Sequence, residues 1–103
     1  MKGVGNLQKM MKQAKQMQEK MQQELEELKV EGSSGGGMVV VTMNGHKSLE
    51  SLRIDPEVVD KDDVDMLQDL ISAAFNDASN KVDDEIKDKI GALGAGMKIP
   101  GLF

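Results

Sequence analysis

Apolar positions fall into three patterns along the chain. Between Asn6 and Val30, Leu7, Met10, Ala14, Met17, Met21 and Leu28 recur at steps of three, four or seven, with Met11 and Leu25 beside the row. That is a narrow stripe on an otherwise polar helix, closer to a coiled-coil seam than to a core face. No Pro and no internal Gly interrupts it, and at 1.5 Å per residue the helix would run about 35 Å. In a chain of 103 residues such a helix is expected to reach past its own domain. Met38 to Met43 is a short, almost wholly apolar run. Asn44-Gly45 then signals a hairpin into a second strand from about Lys47 to Ile54. Finally Val64, Met66, Leu67, Leu70, Ile71, Ala74, Phe75 and Ala78 make the wide apolar face of a core helix, which thins past Asn80 to Val82, Ile86 and Ile90.

Local signals set the expected boundaries. Asn6 is a good N-cap residue after a frayed Met1–Gly5. Gly32 is expected to end the first helix, although Lys29 to Glu31 could instead open an extra edge strand; both readings stand. Gly32 to Gly37 reads as a flexible connector, and Asp55-Pro56 as the stop of the second strand. Asp60 or Asp62 is expected to cap the second helix, and Gly91, Gly94 and Gly96 to end it before a mobile tail over 92–103. The expected fold is a single α+β domain over 1–103. It has a long first helix, a small antiparallel sheet (a hairpin or three strands) and a long last helix.

The strand from Met38 to Met43 lacks the alternation of a sheet with one wet face, so both of its faces should be covered. The second helix covers one. A second copy packed sheet against sheet would cover the other, which implies a homodimer with Met38, Val40 and Thr42 at its interface.

Charge alters the picture. The net charge is −5, but residues 1–20 carry Lys2, Lys9, Lys12, Lys15 and Lys20 against Glu19 alone, a balance of +4, leaving −9 in the remainder. Glu24, Glu26, Glu27 and Glu31 follow the lysines, the reverse of what the helix dipole prefers. Local stability does not explain that order; a role for the lysine half in meeting an anionic surface does. There is no cysteine, hence no disulfide and no thiolate metal site. No apolar run approaches the roughly 18 residues of a membrane span, and no signal peptide is recognisable. The chain reads as soluble and cytoplasmic, with no membrane partner.

Catalytic chemistry is sparse. The Gly-rich connector lacks the Gly-Lys-Ser/Thr ending of a phosphate loop, and Gly91-x-x-Gly94-x-Gly96 is not a dinucleotide fingerprint. His46, the one histidine, sits at the hairpin turn with no cysteine or second histidine to share a metal. Asp60 to Asp65 lacks the glycine of a calcium loop and has Ile71 where its bidentate Glu belongs. Asp83, Asp84, Glu85 and Asp88 alternate with lysines on a solvated face. No enzyme, cofactor, metal or small-molecule substrate is expected.

In order along the chain stand Met11-Lys12-Gln13-Ala14 with Met17-Gln18-Glu19-Lys20-Met21, Val30-Glu31-Gly32-Ser33 with Gly35-Gly36-Gly37, and Val41-Thr42 with Asn44-Gly45. Ile54-Asp55-Pro56, Asp63-Val64 with Met66-Leu67, Asp69-Leu70-Ile71, Ala73-Ala74 with Asn76-Asp77-Ala78, and Pro100-Gly101-Leu102-Phe103 follow. This combination resembles the YbaB/EbfC family of bacterial nucleoid-associated proteins over essentially the whole chain. The resemblance implies a small α/β homodimer whose helices project like the arms of tweezers. It also implies that the dimer binds DNA and alters its conformation, with effects on nucleoid organisation and gene expression.

On this reading Lys2, Lys9, Lys12, Lys15 and Lys20 meet phosphates, with Gln8, Gln13 and Gln16 as neutral donors. No arginine lies on that helix to read guanine, so little sequence preference is expected. With a pI near 4.8, the contact must be local and salt-sensitive. The rival reading is a protein-interaction or chaperone-like helical adaptor, in which the methionine stripe holds another helix or a client chain without any direct role at DNA.

Overall fold

The computed structural model describes the backbone of residues 2–97 and the side chains of residues 5–91. Its elements are helix α1 (Lys2–Glu27), strands β1 (Lys29–Ser34), β2 (Val39–Asn44) and β3 (Leu49–Ile54), and helix α2 (Val64–Met97), with 3-10 turns at Gly35–Gly37 and Pro56–Val58. The strands form one antiparallel sheet in the order β1-β2-β3. The α+β architecture expected from the pattern is therefore present, with three strands rather than a bare hairpin.

The open boundary near Lys29 resolves in favour of a strand. α1 ends at Glu27, and Leu28 N–H still bonds Glu24 O at 2.9 Å before the chain turns extended. Gly32, expected to end the helix, instead sits buried in the middle of β1, opposite Val41. The reason is contact with α2: a Cβ on Gly32 would stand 2.3 Å from Ala78 N and 2.4 Å from Ala74 O. Tertiary packing, not helix termination, requires this glycine.

β2 is the central strand, and its inward residues Val39, Val41 and Met43 are fully buried with Ala74, Ala78 and Val82 of α2. Its outward residues are half-buried. Val40 stands between Ser33 and Arg53, and Thr42 between Glu31 and Ser51, so neighbouring side chains of the same sheet partly shield the outer face. The apolar character of the run therefore follows in part from its central place.

Three further boundaries differ from expectation. α1 is helical from Lys2, so Asn6 caps nothing. α2 is capped by Asp63, whose carboxylate accepts from Met66 N–H at 3.2 Å, while Asp60 closes the preceding turn by accepting from Asp62 N–H at 2.9 Å. α2 also runs on to Met97, through glycines that cost only about 1 kcal/mol each in a helix when no proline intervenes. Most of the expected mobile tail, 98–103, lies outside the described residues.

The hairpin exists where Asn44-Gly45 placed it, but its chemistry differs. Asn44 Oδ1 accepts from His46 N–H at 2.9 Å and Ser48 N–H at 3.0 Å, and the left-handed residue is Lys47, with φ 63°. Gly45 is buried for another reason: its Cβ would meet Leu25 O of α1 at 2.5 Å.

The molecule is elongated. Its radius of gyration is 20.0 Å and its longest dimension 74 Å, against about 13 Å of gyration radius for a compact domain of this size. Both helices contribute: at 1.5 Å per residue α1 is about 39 Å long and α2 about 51 Å, and on α1 every residue from 5 to 20 is exposed.

Candidate nucleic-acid interface

α1 leaves the body at its carboxyl end, where Leu25 meets the hairpin, and projects its amino-terminal half into solvent as an arm. Leu7, Met10, Met11 and Met17 are each more than half exposed. A helix advances about 100° per residue, which puts Lys9, Lys12, Lys15 and Lys20 in one arc, centred about 160° from the Leu7–Met10–Ala14–Met17 stripe. Gln16 falls within the lysine arc and Gln13 at its margin. Lys2 shares the arc by its place in the helix; its side chain is outside the described residues.

Three lysines of the body are paired: Lys29 with Glu50, Lys47 with Asp83 at 2.9 Å, and Lys81 with Asp77 at 3.3 Å, while Lys61, Lys87 and Lys89 stand outside the described ion pairs. Among the described residues, none of the ion pairs involves Lys9, Lys12, Lys15 or Lys20, nor Glu19, the one carboxylate that shares their arc between Lys9 and Lys20. Four cations thus span about 16 Å of helix, a length over which duplex DNA presents roughly ten phosphate charges. Such a row can grip a polyanion although the whole chain is acidic.

Lys81 has a structural role. The Asp77 carboxylate accepts from Ser33 N–H at 3.0 Å and pairs with Lys81, whose ammonium also donates to Glu31 O at 2.9 Å. The Ser33 hydrogen bond, then Lys81, hold the Asp77 carboxyl below the ordinary aspartate range. This cluster pins β1 to one flank of α2.

The other flank is open, and sequence reasoning missed it. α2 lies over β1 and β2 and leaves β3 at its margin. In register, Leu49 pairs with Met43 and Leu52 with Val41, so both point to the side of the sheet that carries α2. Yet Leu49 is 49% exposed, Leu52 41% and Phe75 40%. Phe75 lies on the far side of the Ala74–Ala78–Val82 row from Asp77 and Lys81, hence on the flank towards β3. Val40 and Thr42 are on the opposite, outer side of the sheet, half-buried among Ser33, Glu31, Ser51 and Arg53, whereas Met38 precedes β2 in the helical region of the backbone (φ −68°, ψ −30°) and has no partner in the sheet register. The apolar residues of β3 were the available signal; what they lacked was the register that shows which side they share.

Among the described residues no cluster of metal-ligating side chains occurs, and no helix is long and apolar enough to cross a membrane.

Comparison with known proteins bears on this geometry. The model of the YbaB/EbfC DNA-binding family matches residues 2–97. The chain is 52% identical over 99 residues to the nucleoid-associated protein XCV1128 of Xanthomonas euvesicatoria, covering 93% of this chain and 92% of that one. It is also 52% identical over 104 residues to the nucleoid-associated protein TTE0040 of Caldanaerobacter subterraneus, covering 98% and 94%. The crystal structure of the uncharacterized protein HP0035 from Helicobacter pylori superposes with a TM-score of 0.62 at 30% identity, covering 86% of this chain and 89% of that chain.

Proposed function

The chain belongs to the YbaB/EbfC DNA-binding family, and from that premise we propose that α1 is the arm by which this nucleoid-associated protein holds DNA. The carrying observation is the row of Lys9, Lys12, Lys15 and Lys20, exposed on one face and outside the ion pairs of the body. Lys2 extends the row, and Gln13 and Gln16 add neutral donors. Phosphate contacts of this kind position a protein without reading sequence, and Arg53, the single arginine of the chain, is on the sheet. Binding is accordingly of low sequence preference, and the DNA changes shape by following the arms. The test is affinity for duplex DNA at stepped salt concentrations, for the wild type beside a Lys9→Glu/Lys12→Glu/Lys15→Glu variant.

The protein acts as a homodimer. The open flank formed by Leu49, Leu52 and Phe75 supports this, because a second copy laid against it would cover the apolar side of β3. It exposes more apolar surface than Met38, Val40 and Thr42, which are half-buried, with Val40 and Thr42 flanked by polar neighbours on the outer face. Two arms would then double the lysines offered to one duplex. A nucleoid location follows from the family and needs no cofactor, and no reaction is assigned to the chain.

The methionine stripe favours a second reading, that of a helical adaptor for another protein. It stands opposite the lysines, so DNA would leave it uncovered. An arm that keeps a helical client after nuclease treatment, yet shows no salt-dependent affinity for DNA, would transfer the function to that reading.

A further inference from the structure

We propose that Gly45 is the joint that aims the arm, a positioning residue that fixes the direction of α1 through the backbone of Leu25. Gly45 N–H donates to Leu25 O at 2.8 Å. Its own conformation does not require glycine, since the left-handed residue of this turn is Lys47. What requires glycine is proximity: a Cβ would lie 2.5 Å from Leu25 O and 2.9 Å from Leu25 Cα. Residues 5–20 are exposed, and β2, whose last residue precedes Gly45, is the body element in recurrent contact with α1. Two of the points that hold the arm are thus the covalent link at Leu28 and this backbone contact.

Those points are close together and the lysines are far away. Leu25 is about 4.5 Å along the axis from Leu28, and Lys12 about 24 Å. Relieving the clash of an added methyl takes a movement of roughly 1 Å at Leu25, which lever geometry enlarges about fivefold at Lys12. Gly45→Ala thus keeps every lysine but moves the row.

This inference rests on the DNA reading for its consequence but not for its test. The chain has no cysteine, so Met11→Cys on the arm and Glu57→Cys on the body give two unique spin-label sites. Diluted with unlabelled protein, they report the distance within one chain. The expected result is a narrow distance distribution in the parent and one shifted or broadened by several ångströms in Gly45→Ala of unchanged helix content. The magnitude of the salt slope for DNA should also fall, by about 1 for each phosphate that the displaced row no longer reaches. An unchanged distance in folded Gly45→Ala overturns the proposal whatever the DNA affinity does. Failure of the parent to bind DNA overturns the DNA reading and leaves the distance result standing. Should Gly45→Ala not fold, amide exchange of Gly45 in the wild type decides: protection upholds the joint, and exchange as fast as an open chain overturns it.

Discussion

Gly32 of β1 lies against Ala78 of α2 so closely that a Cβ on the glycine would stand 2.3 Å from the alanine's backbone nitrogen. Neither side of that contact is a flexible side chain, so relief would need strand and helix to part. Gly32→Ala is expected to destabilise the domain by about 3 kcal/mol, the upper range for overpacked cores. Urea unfolding measures it, and a variant as stable as the wild type would show that helix and sheet are not in such close contact.

The Asp77 cluster carries a pH dependence. Its folded carboxyl titrates below the ordinary range because the Ser33 N–H and Lys81 favour the charged form. A depressed folded value means the contribution is complete above the unfolded aspartate's titration and is lost as pH falls through the folded one. Asp77 is solvent-accessible, so the contribution is small. Urea midpoints of the wild type should therefore fall in acid more than those of Asp77→Asn; parallel curves would remove Asp77 from the acid response.

Much of this fold could be read from the residues. The seam of α1, the Asn44-Gly45 turn and the apolar face around Leu70 and Ala74 each follow from local periodicity or turn chemistry. Gly32 and Gly45 could not be read in that way. A glycine needed for close approach looks the same in sequence as one that ends a helix or makes a turn, and only the partner backbone, Ala78 or Leu25, tells them apart. The lysine row was legible because helical spacing alone sets its arc. The open flank at Leu52 was not, since exposure there depends on α2 stopping short of β3.

Association should depend on that flank. Leu52→Lys or Phe75→Asp places a charge where a second copy is proposed to sit, and an unpaired buried charge is costly. Light scattering at micromolar concentration should give twice the chain mass for the wild type and the single-chain mass for either variant. A wild type that is monomeric, or variants that stay dimeric, would move the interface elsewhere or abolish it.

The amino end of α2 offers a smaller check. Asp63 accepts from Met66 N–H across the first turn. Asp63→Ala should lower stability by about 1 kcal/mol, with Asp60→Ala and Asp62→Ala costing less. Equal effects at all three positions would mean that the cap is shared.

The central claim is that an acidic protein grips DNA through cations gathered on one arm. Four to eight phosphate contacts, from one arm or two, give a slope of log affinity against log salt of about −4 to −7. Fluorescence anisotropy on a labelled duplex, titrated at stepped salt, should return a slope in that range for the wild type and a large loss of affinity for Lys9→Glu/Lys12→Glu/Lys15→Glu. A slope near zero, or an affinity that the three reversals leave unchanged, would contradict it.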